Sequence, residues 1–218
     1  MAGCGTVGPV STGLLIDLDG VVRRWPPQLT VSIEERHRLP VGSIATAAFS
    51  DREALHRAVT GAVSDGAWRA DIASRLAAAY GSTAWAAVRE WSAMRGEVDA
   101  QVLDLVRQAR RTAPVGLLTN ATTRLGEDLA ALGLAREFDA VVNSAEMGVA
   151  KPDPESYVRA CARLGAERAR CLFVDDTATH VAAARRVGLR GHVFRSVAEL
   201  RVFLADSLHP AADDTAAS

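Results

Sequence analysis

The run Leu14-Leu15-Ile16-Asp17-Leu18-Asp19-Gly20-Val21 constrains this chain more than any other stretch. Three large apolar residues lead straight into a carboxylate, and a second carboxylate follows two places on. An unbroken apolar run suits a strand covered on both faces, as in a parallel sheet. An ionised side chain is not left unpaired in such a core, so the strand is expected to end at Asp17. Residues i and i+2 of an extended chain share a face, which would point Asp17 and Asp19 into one space. Two acids so close repel each other unless a cation or a shared proton settles the charge. Gly20 lets the backbone turn where a side chain would clash. Read alone, the segment is equally a strand followed by an acidic turn. The rest of the chain decides.

Downstream, strands and helices alternate. A helix carrying Val102, Leu103, Val106 and Ala109 leads to the strand Val115-Gly116-Leu117-Leu118, which ends at Thr119-Asn120. A helix with Leu125, Leu129 and Leu132 leads to a strand over Phe138–Val142. Asp153 is placed to cap a helix with Pro154 in its first turn. Then come the strand Cys171–Val174, a helix through Val181, Ala184 and Val187, and the strand His192–Phe194. Ser196 with Glu199 caps a last helix. This order predicts an α/β fold with a doubly wound, Rossmann-like parallel sheet.

Between the first strand and that alternation lies a block with no strand pattern. Arg23-Arg24-Trp25-Pro26-Pro27 cannot continue a sheet interior. Ser32 with Glu35 and Ser50 with Glu53 match the reciprocal capping pattern at helix starts. Trp68, Ile72, Leu76 and Tyr80 form one amphipathic stripe, and Trp85, Val88 and Trp91 another. The reading is an inserted helical lid over residues 25–95, in a core made of 14–24 and 96–205. Residues 1–13 are expected to be a flexible lead and 206–218 a flexible tail.

Composition excludes several classes. Lys plus Arg number 25 against 26 for Asp plus Glu, which leaves no field for nucleic acid or an anionic membrane. No apolar run is long enough to span a bilayer, and no basic residue precedes Arg23. Cys4, Cys161 and Cys171 lack metal-type spacing, and the last two read as small buried apolar residues. A cytoplasmic setting is expected. Oligomeric state leaves no trace in the sequence.

Ligands of an open α/β sheet bind outside the carboxyl ends of its strands, and the polar residues gather there. Asp17 and Asp19 end the first strand, Thr119 and Asn120 the second, and Asp175-Asp176-Thr177 the fourth. Lys151-Pro152-Asp153 follows the third. Each has an ordinary explanation as a helix cap, a solvated lysine or a dipole partner. Four together favour a site. Carboxylate oxygens without His or Cys suit a hard cation, Mg²⁺ above all where phosphate is bound. Lys151 would hold a phosphoryl group, with donors from Thr119 and Asn120 completing the cradle. One carboxylate could then attack phosphorus, and a neighbouring acid could protonate the leaving oxygen.

From about Leu14 to Arg195 this pattern resembles the haloacid dehalogenase superfamily, in particular its phosphatase-like members with a helical cap. Asp17-Leu18-Asp19-Gly20-Val21 is similar to the first motif, Leu118-Thr119-Asn120 to the second and Lys151-Pro152-Asp153 to the third. Phe173–Thr177 is similar to the fourth. The resemblance implies that Asp17 is the nucleophile and Asp19 the general acid/base, whose carbonyl also binds metal. It implies that Thr119 and Lys151 hold the phosphate, with Asn120 as a substrate contact. Asp176 would be the main distal metal ligand and Asp175 a ligand or its supporting partner. His180 stands where relatives often carry Asn, and reads here as a helix-surface histidine.

The expectation is therefore a Mg²⁺-dependent phosphatase for a small phosphorylated metabolite. A dehalogenase typically lacks the acid two places after the nucleophile, because halide needs no protonation. A sugar phosphomutase would need cap residues for a bisphosphate, which nothing between Arg23 and Met94 compels. A phospho-receiver carries its acids in another order, and a silent binding module would have lost one of these residues. Arg23, Arg24, Trp25 and the helical tryptophans are candidate cap contacts, although Trp68, Trp85 and Trp91 sit on apolar stripes and read as packing residues. The substrate itself is not legible.

Overall fold

The computed structural model describes residues 12–208. Expectations for the residues before and after these, Cys4 included, lie outside the described residues. In chain order the strands are β1 (Gly13–Ile16), β2 (Arg23–Arg24), β3 (Glu97–Val98) and β4 (Val115–Thr119). β5 (Ala140–Asn143), β6 (Cys171–Asp175) and β7 (Arg190–Val193) follow. Five of them form one parallel sheet in the order β5-β4-β1-β6-β7. The chain winds outward from β1 through β4 to β5, then crosses back to β6 and β7. The winding therefore reverses at β1, which is where such sheets open a crevice at their carboxyl edge.

The first helices are α1 (Pro27–Arg36), α2 (Ser43–Phe49), α3 (Arg52–Val59), α4 (Asp65–Tyr80) and α5 (Thr83–Ala93). After β3 come α6 (Ala100–Ala109), α7 (Leu125–Ala131), α8 (Ser144–Met147) and α9 (Pro154–Leu164). α10 (Ala178–Arg186) and α11 (Val197–Leu208) complete the described residues. Strand alternation divides the core in two. Leu14, Ile16, Leu117, Leu172 and Val174 face α6, α7 and α11. Leu15, Leu118 and Phe173 face Tyr157 and Ala160 of α9 and Val181 of α10. Leu14, Leu15 and Ile16 are fully buried, and each such side chain contributes about 1.5–3 kcal/mol.

A third apolar cluster belongs to α1–α5 alone, with Ile33, Ile44, Trp68, Ile72, Leu76 and Val88 at its centre. The chain leaves the sheet through β2 and returns through β3. These pair antiparallel, Arg23 opposite Val98 and Arg24 opposite Glu97. This ribbon was not legible in the sequence, because two residues carry no periodicity.

Several local expectations are corrected. Asp51, not Ser50, caps α3 by accepting from the Ala54 N–H, while the Ser50 hydroxyl turns back to the Thr46 carbonyl. Ser32 lies inside α1, and its hydroxyl donates to the Gln28 carbonyl. Gly13 already belongs to β1 and residues 206–208 to α11, so these elements run past the bounds expected for them. Tyr80 and Trp85 are about half exposed. A spacing of four overshoots the helical repeat by about 40° per step, so Tyr80 is swung well away from Trp68. On α5 the inward stripe is Ala84, Ala87, Val88 and Trp91, which leaves Trp85 one position off it.

Candidate active site

Asp17 is the first residue beyond β1, tied to the neighbouring strand by its N–H donating to the Val174 carbonyl at 2.9 Å. Its side chain is buried. One carboxylate oxygen accepts the Leu18 N–H at 2.8 Å and lies 2.9 Å from Lys151 Nζ. Lys151 is itself buried; it donates to Asp175 Oδ2 at 2.7 Å and to the Leu118 carbonyl at 3.0 Å. A lysine expected at a strand end is thus an interior cation held between two acids. Such an arrangement persists only because each charge has a partner.

Burial pushes the Asp17 carboxyl up to about 7, against the nearby Lys151 charge and with the Asp175 charge adding to the rise. Asp175 is driven the other way. Burial disfavours its ionised form, but the His180 contact and the Lys151 charge outweigh that and hold it down to about 2. Burial also opposes the charge on Lys151, and the two carboxylates overcome it, so its ammonium is held above the ordinary lysine range.

Asp175, Asp176 and Thr177 form the turn from β6 into α10. Asp175 is fully buried, and both its oxygens are engaged. Oδ1 accepts the Thr177 N–H at 2.8 Å, Oδ2 the Lys151 ammonium, and His180 Nδ1 lies 3.1 Å from Oδ2. His180 is therefore not a plain surface histidine. The first turn of α10 folds it back over the strand end, a position that its spacing from Asp175 did not reveal. Asp176 is exposed, and its Oδ1 accepts a 3.1 Å contact from the Thr177 hydroxyl. Carboxylate oxygens of Asp17, Asp175 and Asp176 all lie within 4.8 Å of one another. Gly20 closes in from the side. At φ +81°, a Cβ there would stand 2.0 Å from Asp176 Oδ2.

Thr119 is buried as the last residue of β4. Asn120 next to it does not simply aim at the crevice. Its side-chain amide donates to the Lys151 carbonyl and accepts the Lys151 N–H, both at 2.8 Å. That pair of bonds fixes the loop bearing Lys151, so the structure gives Asn120 a positioning part.

Asp19 departs most from expectation. Its carboxylate is not one of the three clustered acids. β1 ends at Ile16, so the face-sharing rule for strands does not reach Asp19. Arg23 instead holds it through two bonds, Nε to Oδ1 at 2.7 Å and Nη2 to Oδ2 at 2.9 Å, and Trp25 Nε1 donates to it at 2.6 Å. Arg23 is buried and also reaches Asp128, 3.2 Å away. Asp128 in turn meets Arg95 at 3.1 Å and Arg124 at 2.9 Å. Arg124 donates to the Ser92 and Met94 carbonyls at the end of α5. On the helical side, Asp65 accepts from Arg69 and from the Thr122 hydroxyl, each at 2.7 Å. This chain of charges joins the two layers. Only the spacing of Asp19 and Arg23 hinted at it in the sequence.

Above Asp19, between the ribbon and the helices, lies a cavity of about 320 Å³ walled by Trp25, Phe49, Trp68, Trp91, Met94 and Arg69. Trp68 and Trp91, read from their stripes as packing residues, both pack and line this space. Arg24 turns away to Asp99 on the core side. Trp85 is not among the lining residues.

A parallel sheet whose winding reverses at a buried acid, with a lysine and two further carboxylates at the same edge, is the framework of a hydrolase. The chain belongs to the haloacid dehalogenase-like hydrolases, whose family model matches residues 12–188. A phosphoglycolate phosphatase of Cupriavidus necator is 32% identical over 84% of this chain and 80% of its own length. A phosphatase of Mycobacterium tuberculosis is 37% identical over a shorter stretch, 38% of this chain and 40% of that protein. Among solved structures, a HAD family enzyme from Bacteroides thetaiotaomicron, in complex with magnesium and inorganic phosphate, superposes with a TM-score of 0.68 at 18% identity. That match covers 85% of this chain and 94% of the other and reflects a shared fold. Among the described residues no helix is long and apolar enough to cross a membrane.

Proposed function

We propose that the protein is a Mg²⁺-dependent phosphatase that hydrolyses a small phosphorylated metabolite, with residues 25–95 as a cap over the site. The observation that carries this reading is Asp17, buried at the switch point of the sheet, 2.9 Å from Lys151 and among the Asp175 and Asp176 oxygens. The donor set fits the ion, since it offers hard carboxylate oxygens only and Gly20 leaves room that a side chain would fill. Asp17 and Asp176 would hold Mg²⁺ together with the Asp19 carbonyl. Asp175, whose oxygens are already taken, would orient Lys151. When bound, the ion offsets the charge of the acids and of the phosphoryl oxygens.

Asp17 attacks phosphorus, the bond to the leaving oxygen breaks, and an aspartyl phosphate forms. Asp19, once freed from Arg23 and protonated, would give that proton to the leaving oxygen and later take one from the water that cleaves the intermediate. That role explains why an acid two places on is useful, since an alkoxide leaves poorly without a proton. Lys151 and Thr119 steady the transferring group. The phosphatases among the relatives support the reaction type, and the buried thiols Cys161 and Cys171 suit a reducing cytoplasm.

The test is phosphate release from acetyl phosphate with Mg²⁺ and with chelator. Wild type should turn over only with the ion, and Asp17→Asn should lose at least about a thousandfold, as expected when the group forming the covalent intermediate is removed. Full activity in Asp17→Asn, or an inert wild type, would overturn the proposal.

A further inference from the structure

The cavity above Asp19 carries a statement about the substrate, and it rests on the phosphatase reading. Its walls are three indoles, one phenyl ring and a thioether. The charged groups that reach it are already matched. Arg69 donates to Asp65 at 2.7 Å and to the Ser92 hydroxyl at 3.2 Å, and its guanidinium lies 4.5 Å over the Trp91 ring. Asp19 is neutralised by Arg23, which in turn stacks 4.6 Å from the Trp25 ring. Thr30 adds a neutral hydroxyl. No uncommitted cation lines the space among the described residues.

We infer that this cavity receives the leaving group and selects phosphomonoesters of uncharged, flat aromatic alcohols over those whose leaving group bears a carboxylate or a second phosphate. A carboxylate entering here would lose its hydration without a free guanidinium or ammonium to meet it. An aromatic ring would gain stacking and burial against Trp91, Trp68 and Phe49. Space is sufficient. A cavity of about 150 Å³ can hold benzene, so about 320 Å³ accommodates one or two fused rings.

The experiment compares 1-naphthylmethyl phosphate, glycerol 3-phosphate and phosphoglycolate on the full chain with Mg²⁺. All three release a primary alcohol, so the leaving oxygens are alike and the cavity decides. The naphthyl ester should have kcat/KM at least about tenfold above both others, the scale of burying one aromatic group. Phe49→Ser and Trp91→Ala should erode that preference through KM rather than kcat. Phe49 is half exposed, so its substitution reports even where that of Trp91 disturbs folding. Equal or better use of phosphoglycolate, or variants that weaken all three substrates alike, would overturn the inference. Acetyl phosphate, whose leaving group is too small to fill the space, separates the two ideas. Turnover of it alongside a preference for phosphoglycolate removes the aromatic selectivity and leaves the phosphatase. No turnover of it removes both.

Discussion

Gly20 and Asp17 carry the sharpest consequences at the scale of single residues. Gly20 sits at φ +81° with Asp176 Oδ2 where its Cβ would be. Alanine there forces a left-handed backbone, at about 1–2 kcal/mol, and drives Asp176 aside. Gly20→Ala should therefore lower the melting temperature modestly but weaken Mg²⁺ binding by at least about tenfold, the scale seen when a ligand's support is lost. Titration calorimetry reads the second effect apart from the first. Asp17 gives a pH dependence. Its carboxyl, raised to about 7 against an ordinary 3.8, holds a proton below neutrality in the ion-free protein. That proton favours the folded state, a contribution complete below about 4 and lost as pH rises through about 7. Asp175, held near 2, acts in the opposite sense, and its contribution disappears as pH falls from about 4 toward 2. Mg²⁺ binding should accordingly release a proton at pH 6 and none at pH 9. Calorimetry in buffers of different ionisation enthalpy measures this, and equal release at both values would contradict it.

Among the elements, what could be read from the sequence was what periodicity and apolar runs encode. Leu14–Ile16, Val115–Thr119 and Cys171–Asp175 are saturated with buried residues, so the central strands were visible as unbroken runs. The motif residues followed, because they stand where those runs stop. The ribbon of β2 and β3, the Arg23 bond to Asp128 and the Asn120 clasp on Lys151 depend on contacts between distant segments, which no local pattern marks. His180 was misread although its partner Asp175 is only five residues away, because the contact depends on how the first turn of α10 folds back over the end of β6. Capping shows how finely such patterns resolve. Both Ser50 and Asp51 are good caps, and only the geometry says that Asp51 accepts from Ala54. Asp51→Ala should then cost about 1 kcal/mol, while Ser50→Ala should stay within about 0.5 kcal/mol. Urea unfolding distinguishes them, and a reversed order would reassign the cap.

For the molecule as a whole, the decisive fact is that the apolar clusters do not mix. The helical cluster draws only on residues between Ile33 and Met94, and the two sheet clusters draw on none of these. Excising residues 25–96 and joining Arg24 to Glu97 through a tight turn should leave a folded sheet, because β2 and β3 already bring those ends together. Circular dichroism and a cooperative melt would test this; a chain that fails to melt cooperatively would mean that the layers fold only as one. Such a core should keep some acetyl phosphate turnover while losing discrimination among larger esters.

The position of Asp19 has a mechanical consequence. It bridges to Arg23, the first residue of the ribbon on which the helical layer is hung. The acid thus rides on the fulcrum. A movement of the helical layer about that ribbon would therefore carry Asp19 with it and change where it stands relative to Asp17.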